Sequence, residues 1–383
     1  MSSILHSTEE LGDPGSHDRE TSMGRVRAAG WLRLAGWNFG LIVLSLVVLD
    51  LVFGSWVHDG FYNPLNAARS VDLTLDVSQL YSDPDGTARY SRDEWGLRGP
   101  HETPEDIDIL TIGGSTTDQL YISDGETWQD VLGQEARLEG GTITVSNAGV
   151  DGHSTFGHLE ALDRWLSDIE GLHPELVVFY VGNNDVLLDR PNRKEAAGGV
   201  VDHFRQRSAL YHAARTARGM WEARRAGVLH AVHERRDGVE WTDQPVLDDH
   251  EARAAEMLQA YERRIASLAE RAMKLGWVPV FVTQPSRFAK TDAGTRVGVE
   301  LNLLSPWGRM NGLDRAVFLD LYNAATLRAA TESGAVGIDL GGSLILEDED
   351  FYDVVHTTPT GAAKIGRFLY QALVQEGLTG PEG

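Results

Sequence analysis

The chain has 383 residues and a formal net charge of −23, from 57 acidic and 34 basic residues. Its hydrophobic fraction of 42% can fill a sizeable core and excludes wholesale disorder. The absence of cysteine removes disulfide scaffolds, thiolate metal sites and thiol catalysis. The acidic balance excludes a general nucleic-acid binder, because phosphate attraction needs positive charge.

Residues 1–36 mix Ser, Gly and charge without apolar periodicity, which predicts a disordered N-terminus. The run 37–57, WNFGLIVLSLVVLDLVFGSWV, spans about 30 Å as a helix, the thickness of a bilayer core. Trp37 and Trp56 stand at its ends, where aromatic belts belong. Asp50 is out of place, since a carboxylate in hydrocarbon costs a few kcal/mol. The alternative is a helix buried in a protein core. A cleaved signal peptide is disfavoured by the long leader and the lack of a small-x-small site. Arg25, Arg27 and Arg33 precede the run closely, whereas only Arg69 follows at comparable distance. The expectation is one transmembrane helix with a cytoplasmic N-terminus, the rest lying in the periplasm or at the cell surface.

Residues 58–106 read as a lead-in with turns at Asn63-Pro64 and Asp83-Pro84-Asp85-Gly86. A domain over 107–377 follows, in which strands and helices alternate. Strands are predicted at 107–112, 142–146, 176–181, 278–283 and 336–339. Helices are predicted at 127–138, 156–169, 250–275, 314–331 and 359–375. Near-continuous apolar strands alternating with helices mean an α/β fold, a parallel sheet covered on both faces. The segment 186–249 interrupts this as an insertion. It carries Arg205, Arg207, Arg215, Arg218, Arg224, Arg225, Arg235 and Arg236, with Leu210, Ala214, Ala217, Trp221, Val228 and Val232 at helical spacing. It is either a cap helix with a solvated basic face or a surface for anionic headgroups or an anionic glycan. His230 and His233 lie one turn apart, but with no third ligand nearby they predict no metal site. Trp241 and Trp307, in expected loops, are candidates for stacking on sugar rings.

Ligands bind such sheets at the carboxyl ends of the strands. The first strand ends in Gly113-Gly114-Ser115, a sharp turn with Ser115 at a helix start. Its hydroxyl there is either exposed beside free amides or an ordinary cap. The second ends in VSNAGVDGHST, where Gly149 and Gly152 allow close backbone approach. The third ends in Gly182-Asn183-Asn184-Asp185, in which Asn184 offers a neutral donor and Asp185 a brace; an Asx turn is the alternative. Near the C-terminus, Asp353 and His356 stand three apart before a helix whose Thr358-Pro359 reads as N-cap and N1. Together these blocks supply a nucleophile, an oxyanion hole and a base with its orienter.

In these four blocks the sequence resembles the SGNH (GDSL-type) hydrolases, over roughly Ile107 to the last helix. The resemblance implies a three-layer αβα sandwich with a flavodoxin-like five-stranded parallel sheet. It implies Ser115 as nucleophile, His356 as base and Asp353 as its orienter. The oxyanion donors would be Ser115, Gly152 (rather than Gly149) and Asn184, with no metal and no cofactor. One departure stands out: Gly114 occupies the position of the Asp in G-D-S-L. The loop 284–313 and the insertion also lie outside the core pattern and would roof the site. The expected function is a membrane-anchored serine esterase acting on an acyl-ester small molecule or an acylated glycan. The alternatives are an O-acyltransferase onto a polysaccharide and a non-catalytic envelope binding module. Protein partners are not legible, and no nucleic-acid partner is expected.

Overall fold

The computed structural model describes residues 15–54, 56, 65, 67–191, 195, 207–211, 213–214 and 240–379, with side chains from residue 33 onward. Helix α1 runs over Gly15–Phe53. The stretch 15–36, expected to be disordered, is therefore helical. No proline interrupts the chain between Pro14 and Pro64, and extending a helix from an apolar nucleus adds a hydrogen bond for each residue fixed. Within α1, Arg33–Phe53 has a mean hydropathy of 2.0 and is almost wholly exposed, with 6% of its apolar window buried. It is one helix long and apolar enough to cross a membrane, and it is not a core helix of this fold. Asp50 is satisfied locally. Its carboxylate accepts from the Ser208 hydroxyl (2.8 Å), the Leu210 amide (3.0 Å) and the Trp56 indole (3.1 Å).

The lead-in contains an antiparallel hairpin of β1 (Val71–Asp76) and β2 (Thr87–Arg92), in register from Val71 opposite Arg92 to Asp76 opposite Thr87. Strand alternation buries Ala88, Tyr90 and Arg92 on one face of β2. The chain then gives β3 (Ile109–Gly113), a short α2 (Ser115–Asp118), α3 (Trp128–Leu138), β4 (Val145–Asn147), α4 (Thr155–Arg164) and β5 (Leu176–Tyr180). Beyond the insertion come β6 (Trp241–Thr242), α5 (His250–Lys274) and β7 (Val278–Val282). The segment 284–313, expected as a loop, folds into two hairpins. These are β8 (Ala289–Asp292) with β9 (Thr295–Val299), which also pairs with β6, and β10 (Leu303–Ser305) with β11 (Gly308–Met310). The last elements are α6 (Gly312–Glu332), β12 (Val336–Ile338), α7 (Leu340–Ser343) and α8 (Pro359–Gln375).

Strands β3, β4, β5, β7 and β12 form one parallel sheet in the order β4-β3-β5-β7-β12. This is the flavodoxin-like order, whose topological switch point lies between β3 and β5. Successive residues face opposite layers. Leu110, Ile112, Val177, Phe179 and Phe281 pack under α4, α5 and α6, and Phe179 stacks on Phe281 at 4.9 Å. Ile109, Val178, Tyr180, Val280 and Val282 pack with Trp128 and Leu132 of α3 and Ile365 and Leu369 of α8. Each such large side chain contributes about 1.5–3 kcal/mol by leaving water.

The helices start where their caps require it. Thr127 with Asp130 and Asn311 with Asp314 form capping boxes, and the Thr358 hydroxyl accepts the Gly361 amide ahead of Pro359. Of the Arg-rich insertion, only Arg190 and Arg207 among its arginines fall within the described residues. The rest of that basic stretch, with His230 and His233, lies outside them. Trp307, partly buried, packs on Phe318 of the core (5.8 Å) with Arg253 over its face. Trp241 carries Lys290 over its ring.

Candidate active site

Gly113 and Gly114 turn the chain off β3. A Cβ at Gly113 would run into the Thr117 side chain, and one at Gly114 into the Asn184 amide and the His153 carbonyl. Both positions need glycine because three loops meet at this point. Ser115 opens α2, whose first amides have no partner within the helix. Gln119, at φ 51°, ends the helix after one turn.

His356 Nε2 lies 2.7 Å from Ser115 Oγ, although the two residues are 241 apart in sequence. His356 Nδ1 lies 2.6 Å from Asp353 Oδ2. The other Asp353 oxygen accepts the amides of Val355 (2.8 Å) and His356 (2.7 Å), which fixes the carboxylate's orientation. Burial pushes the Asp353 carboxyl up. The hydrogen bond and charge of His356 and the two amides outweigh it and hold the group below its ordinary value, so it stays an anion. Tyr352 stacks almost parallel on the His356 ring (5.5 Å, 6°), closing one face of the imidazole.

The other predicted residues surround this pair. Asn184 donates to the His153 carbonyl (2.9 Å), which sets its carboxamide over Gly114 beside the Ser115 turn. Gly152 takes a left-handed φ of 76°, which favours glycine, in the turn that leads into α4. Gly149 is used otherwise: its amide donates to Asn147 Oδ1 (2.8 Å), and a Cβ there would strike the backbone of Thr117 and Asp118. Asp185 accepts from both the amide (3.0 Å) and the hydroxyl (2.5 Å) of Thr155, tying the loop after β5 to the start of α4. Burial pushes the Asp185 carboxyl up to about 6, against the nearby Arg264 and the Thr155 donors.

Four positioning residues escape a reading of motifs. Gln284, just after β7, accepts from the Asn183 amide (2.8 Å) and donates to the Thr116 hydroxyl (2.9 Å) and the Tyr180 carbonyl (3.1 Å). It links the Ser115 turn to the Asn184 loop. Arg315 of α6 donates to the Asn183 carbonyl at 2.6 Å. Arg92 and Arg98 come from the lead-in. Arg92 donates to the Asp118 carboxylate (2.6 Å), to the Gly96 carbonyl (2.5 Å) and to the Gly149 carbonyl. Tyr90 donates to the same Asp118 oxygen at 2.8 Å. Arg98 donates to the carbonyls of Asp118 (2.9 Å), Gln119 (3.0 Å) and Ile122 (2.6 Å), groups left open where α2 ends. One signal for Arg92 exists in the sequence, the alternation that puts it on the face of Ala88 and Tyr90.

Residues 111–297 match the model of the GDSL-like lipase/acylhydrolase family. That segment carries Ser115, Gly152 and Asn184, while Asp353 and His356 lie beyond it. A comparison with curated proteins finds no match. Similar solved structures include the esterase EstA from Pseudoalteromonas sp., at 12% identity and a TM-score of 0.40 over 71% of this chain and 98% of that one. Another is a catalytic mutant of Axe2, an acetylxylan esterase from Geobacillus stearothermophilus. It shows 14% identity and a TM-score of 0.38 over 69% of this chain and 92% of that one. A GDSL-like lipase from Bacteroides thetaiotaomicron shows 13% identity and a TM-score of 0.37, over 72% and 92%.

Proposed function

Since this chain belongs to the GDSL-like lipase/acylhydrolase family and is an ester hydrolase, we propose that it works as a serine esterase through Ser115, His356 and Asp353. The observation that carries this reading is the unbroken relay Ser115 Oγ to His356 Nε2, and His356 Nδ1 to Asp353, at 2.7 and 2.6 Å.

In the proposed cycle His356 Nε2 takes the Ser115 proton as Oγ attacks the ester carbonyl. Asp353 holds the Nδ1 proton and supports the imidazolium that forms. The tetrahedral oxyanion is met by the amides of Ser115 and Gly152 and by the Asn184 carboxamide. Such preoriented donors are worth about 2.7–4 kcal/mol of barrier each. His356 then returns its proton to the departing alkoxide, leaving an acyl-Ser115 ester. A water, deprotonated by the same imidazole, attacks that ester and releases the acid.

The setting we propose is a membrane surface. α1 anchors the protein, the arginines before the span keep the N-terminus cytoplasmic, and the hydrolase domain lies outside, facing O-acyl esters of envelope glycans. Fluorophosphonate labelling tests the chemistry. The wild-type protein is expected to carry the label on Ser115, and Ser115→Ala to carry none. A folded wild-type protein that resists the probe, or one labelled elsewhere, would overturn the assignment.

A further inference from the structure

Beside His356 lies a cluster of three phenol rings drawn from three separate parts of the chain. Tyr81 comes from the turn after β1, Tyr121 from the loop after α2, and Tyr352 directly precedes Asp353. The Tyr121 ring meets Tyr352 edge-on (6.3 Å, 89°) and Tyr81 meets it tilted (6.2 Å, 34°), while Tyr352 itself lies flat on His356. The Tyr81 hydroxyl donates to the Tyr121 carbonyl at 2.5 Å, which locks the two outer rings together. Tyr81 and Tyr121 are partly exposed, so part of each side chain is left open to solvent.

The chemistry of the cluster narrows what can lie on it. An aliphatic chain is best held by Leu, Ile or Phe, which carry no group that must be kept wet. Each tyrosine ring instead combines an apolar face with a hydroxyl at its edge. A sugar ring matches that surface, with C–H bonds on one face and hydroxyls at the edge. The charged side chains acting on the two outer rings are carboxylates, Asp83 and Glu126 at Tyr81 and Asp151 at Tyr121. They repel an anionic occupant such as a uronic acid. Burial, reinforced by these carboxylates, pushes the Tyr81 and Tyr121 phenols up, so both stay neutral.

We propose that Tyr81, Tyr121 and Tyr352 form a subsite that seats a neutral sugar ring of an O-acylated glycan, presenting its ester to Ser115. This rests on the esterase reading above and deepens it by naming the residues that hold the sugar and the charge that the sugar carries. Tyr121, on the outer rim, carries the most direct test.

The experiment compares O-acetylated cellotriose, O-acetylated trigalacturonate, p-nitrophenyl acetate and p-nitrophenyl octanoate. Wild-type protein should prefer the neutral oligosaccharide to the anionic one. Tyr121→Ala should raise KM for acetylated cellotriose by about three- to tenfold with little change in kcat, the loss of one ring–ring contact. The ratio of kcat/KM on that sugar to kcat/KM on p-nitrophenyl acetate should fall by the same factor. Tyr121→Phe should keep most of the ratio. A variant that merely folds poorly lowers both esters together and leaves the ratio unchanged, which would count against the subsite. So would a preference for the galacturonate, or an effect confined to the octanoate, which would make the rings an acyl-chain site. A second arm needs no turnover. Ser115→Ala should bind acetylated cellotriose by calorimetry and the Ser115→Ala/Tyr121→Ala protein should bind it more weakly; equal binding overturns the proposal. Failure of the wild type on p-nitrophenyl acetate, with sugar binding intact, would fell the esterase reading instead.

Discussion

Arg92 and Asp118 meet at 2.6 Å with both side chains shut away from solvent, 2% and 8% exposed. One partner comes from the hairpin before the catalytic sheet and the other from the turn that presents Ser115. Burial works against the charge of Arg92. The Asp118 carboxylate and the Tyr90 oxygen more than offset that, so the guanidinium is held above its ordinary range. Removing one member of a buried ion pair leaves the other charged and unpaired, at a cost of about 3–5 kcal/mol. Arg92→Met should therefore lower the urea midpoint markedly, and Arg92→Lys should recover part of the stability but not the bond to Gly149. A midpoint unchanged in Arg92→Met would show that the hairpin is dispensable to the Ser115 turn.

Asp353→Asn separates orientation from packing. The amide keeps the shape of the carboxylate, but it can present N–H rather than oxygen to His356 and so favours the wrong tautomer. In serine hydrolases of this design the loss in kcat is about 10⁴-fold with geometry intact. Steady-state kinetics on p-nitrophenyl acetate reads it directly. A loss smaller than tenfold would mean that His356 does not depend on Asp353.

Asn184→Ala should lower kcat by about 10²–10³-fold and leave KM near its wild-type value, because an oxyanion donor acts on charge that exists only in the transition state. Gly114→Ala reaches the same end by another route, since its Cβ would push on the Asn184 amide and the His153 carbonyl. A rise in KM with constant kcat in Asn184→Ala would relocate the residue to ground-state binding.

His158 supplies a pH dependence of stability. Burial above all, with the neighbouring His153, pushes its imidazole down to about 3. The ring is neutral in the folded protein but takes a proton near 6.5 when unfolded. Its contribution is fully present above pH 6.5 and is lost as pH falls toward 3, on the order of 5 kcal/mol across that window. Asp185 acts in the opposite sense. Pushed up to about 6, it favours the folded state below its unfolded value and loses that contribution as pH rises through 6. The His158 displacement is the larger, so net stability should fall on acidification from pH 6.5 to 4. Replacing the imidazole in His158→Gln should flatten this slope. Chemical denaturation across the pH range measures it, and an unchanged slope in the variant would assign the acid sensitivity elsewhere.

The parallel sheet is legible because buried strands appear as short β-branched runs, and each polar block follows the end of one. Ser115, Gly152 and Asn184 stand at such ends, and Asp353 with His356 precedes a helix announced by Thr358-Pro359. What escapes is whatever depends on partners far along the chain. An arginine in a strand reads as solvated, and nothing local says that Arg92 will meet Asp118, 26 residues on. Asp50 looked misplaced for the same reason: its partner Ser208 is 158 residues distant. The two hairpins of 284–313 were missed because their strands are short and mostly exposed, without the apolar alternation that marks a core strand. The helical start of α1 was missed because polar residues carry no periodic signal even where nothing breaks the helix.

The β1–β2 hairpin has a consequence for reach. It is welded by Arg92 to the turn that bears Ser115, and Leu65 and Ala67 ahead of it are buried in the core, so at most the stretch between Phe53 and Leu65 can act as a leash. Fully drawn out, such a stretch measures roughly 40 Å. On the proposed anchoring, the enzyme patrols a thin shell above the lipid, and any ester it cleaves must be brought within that shell.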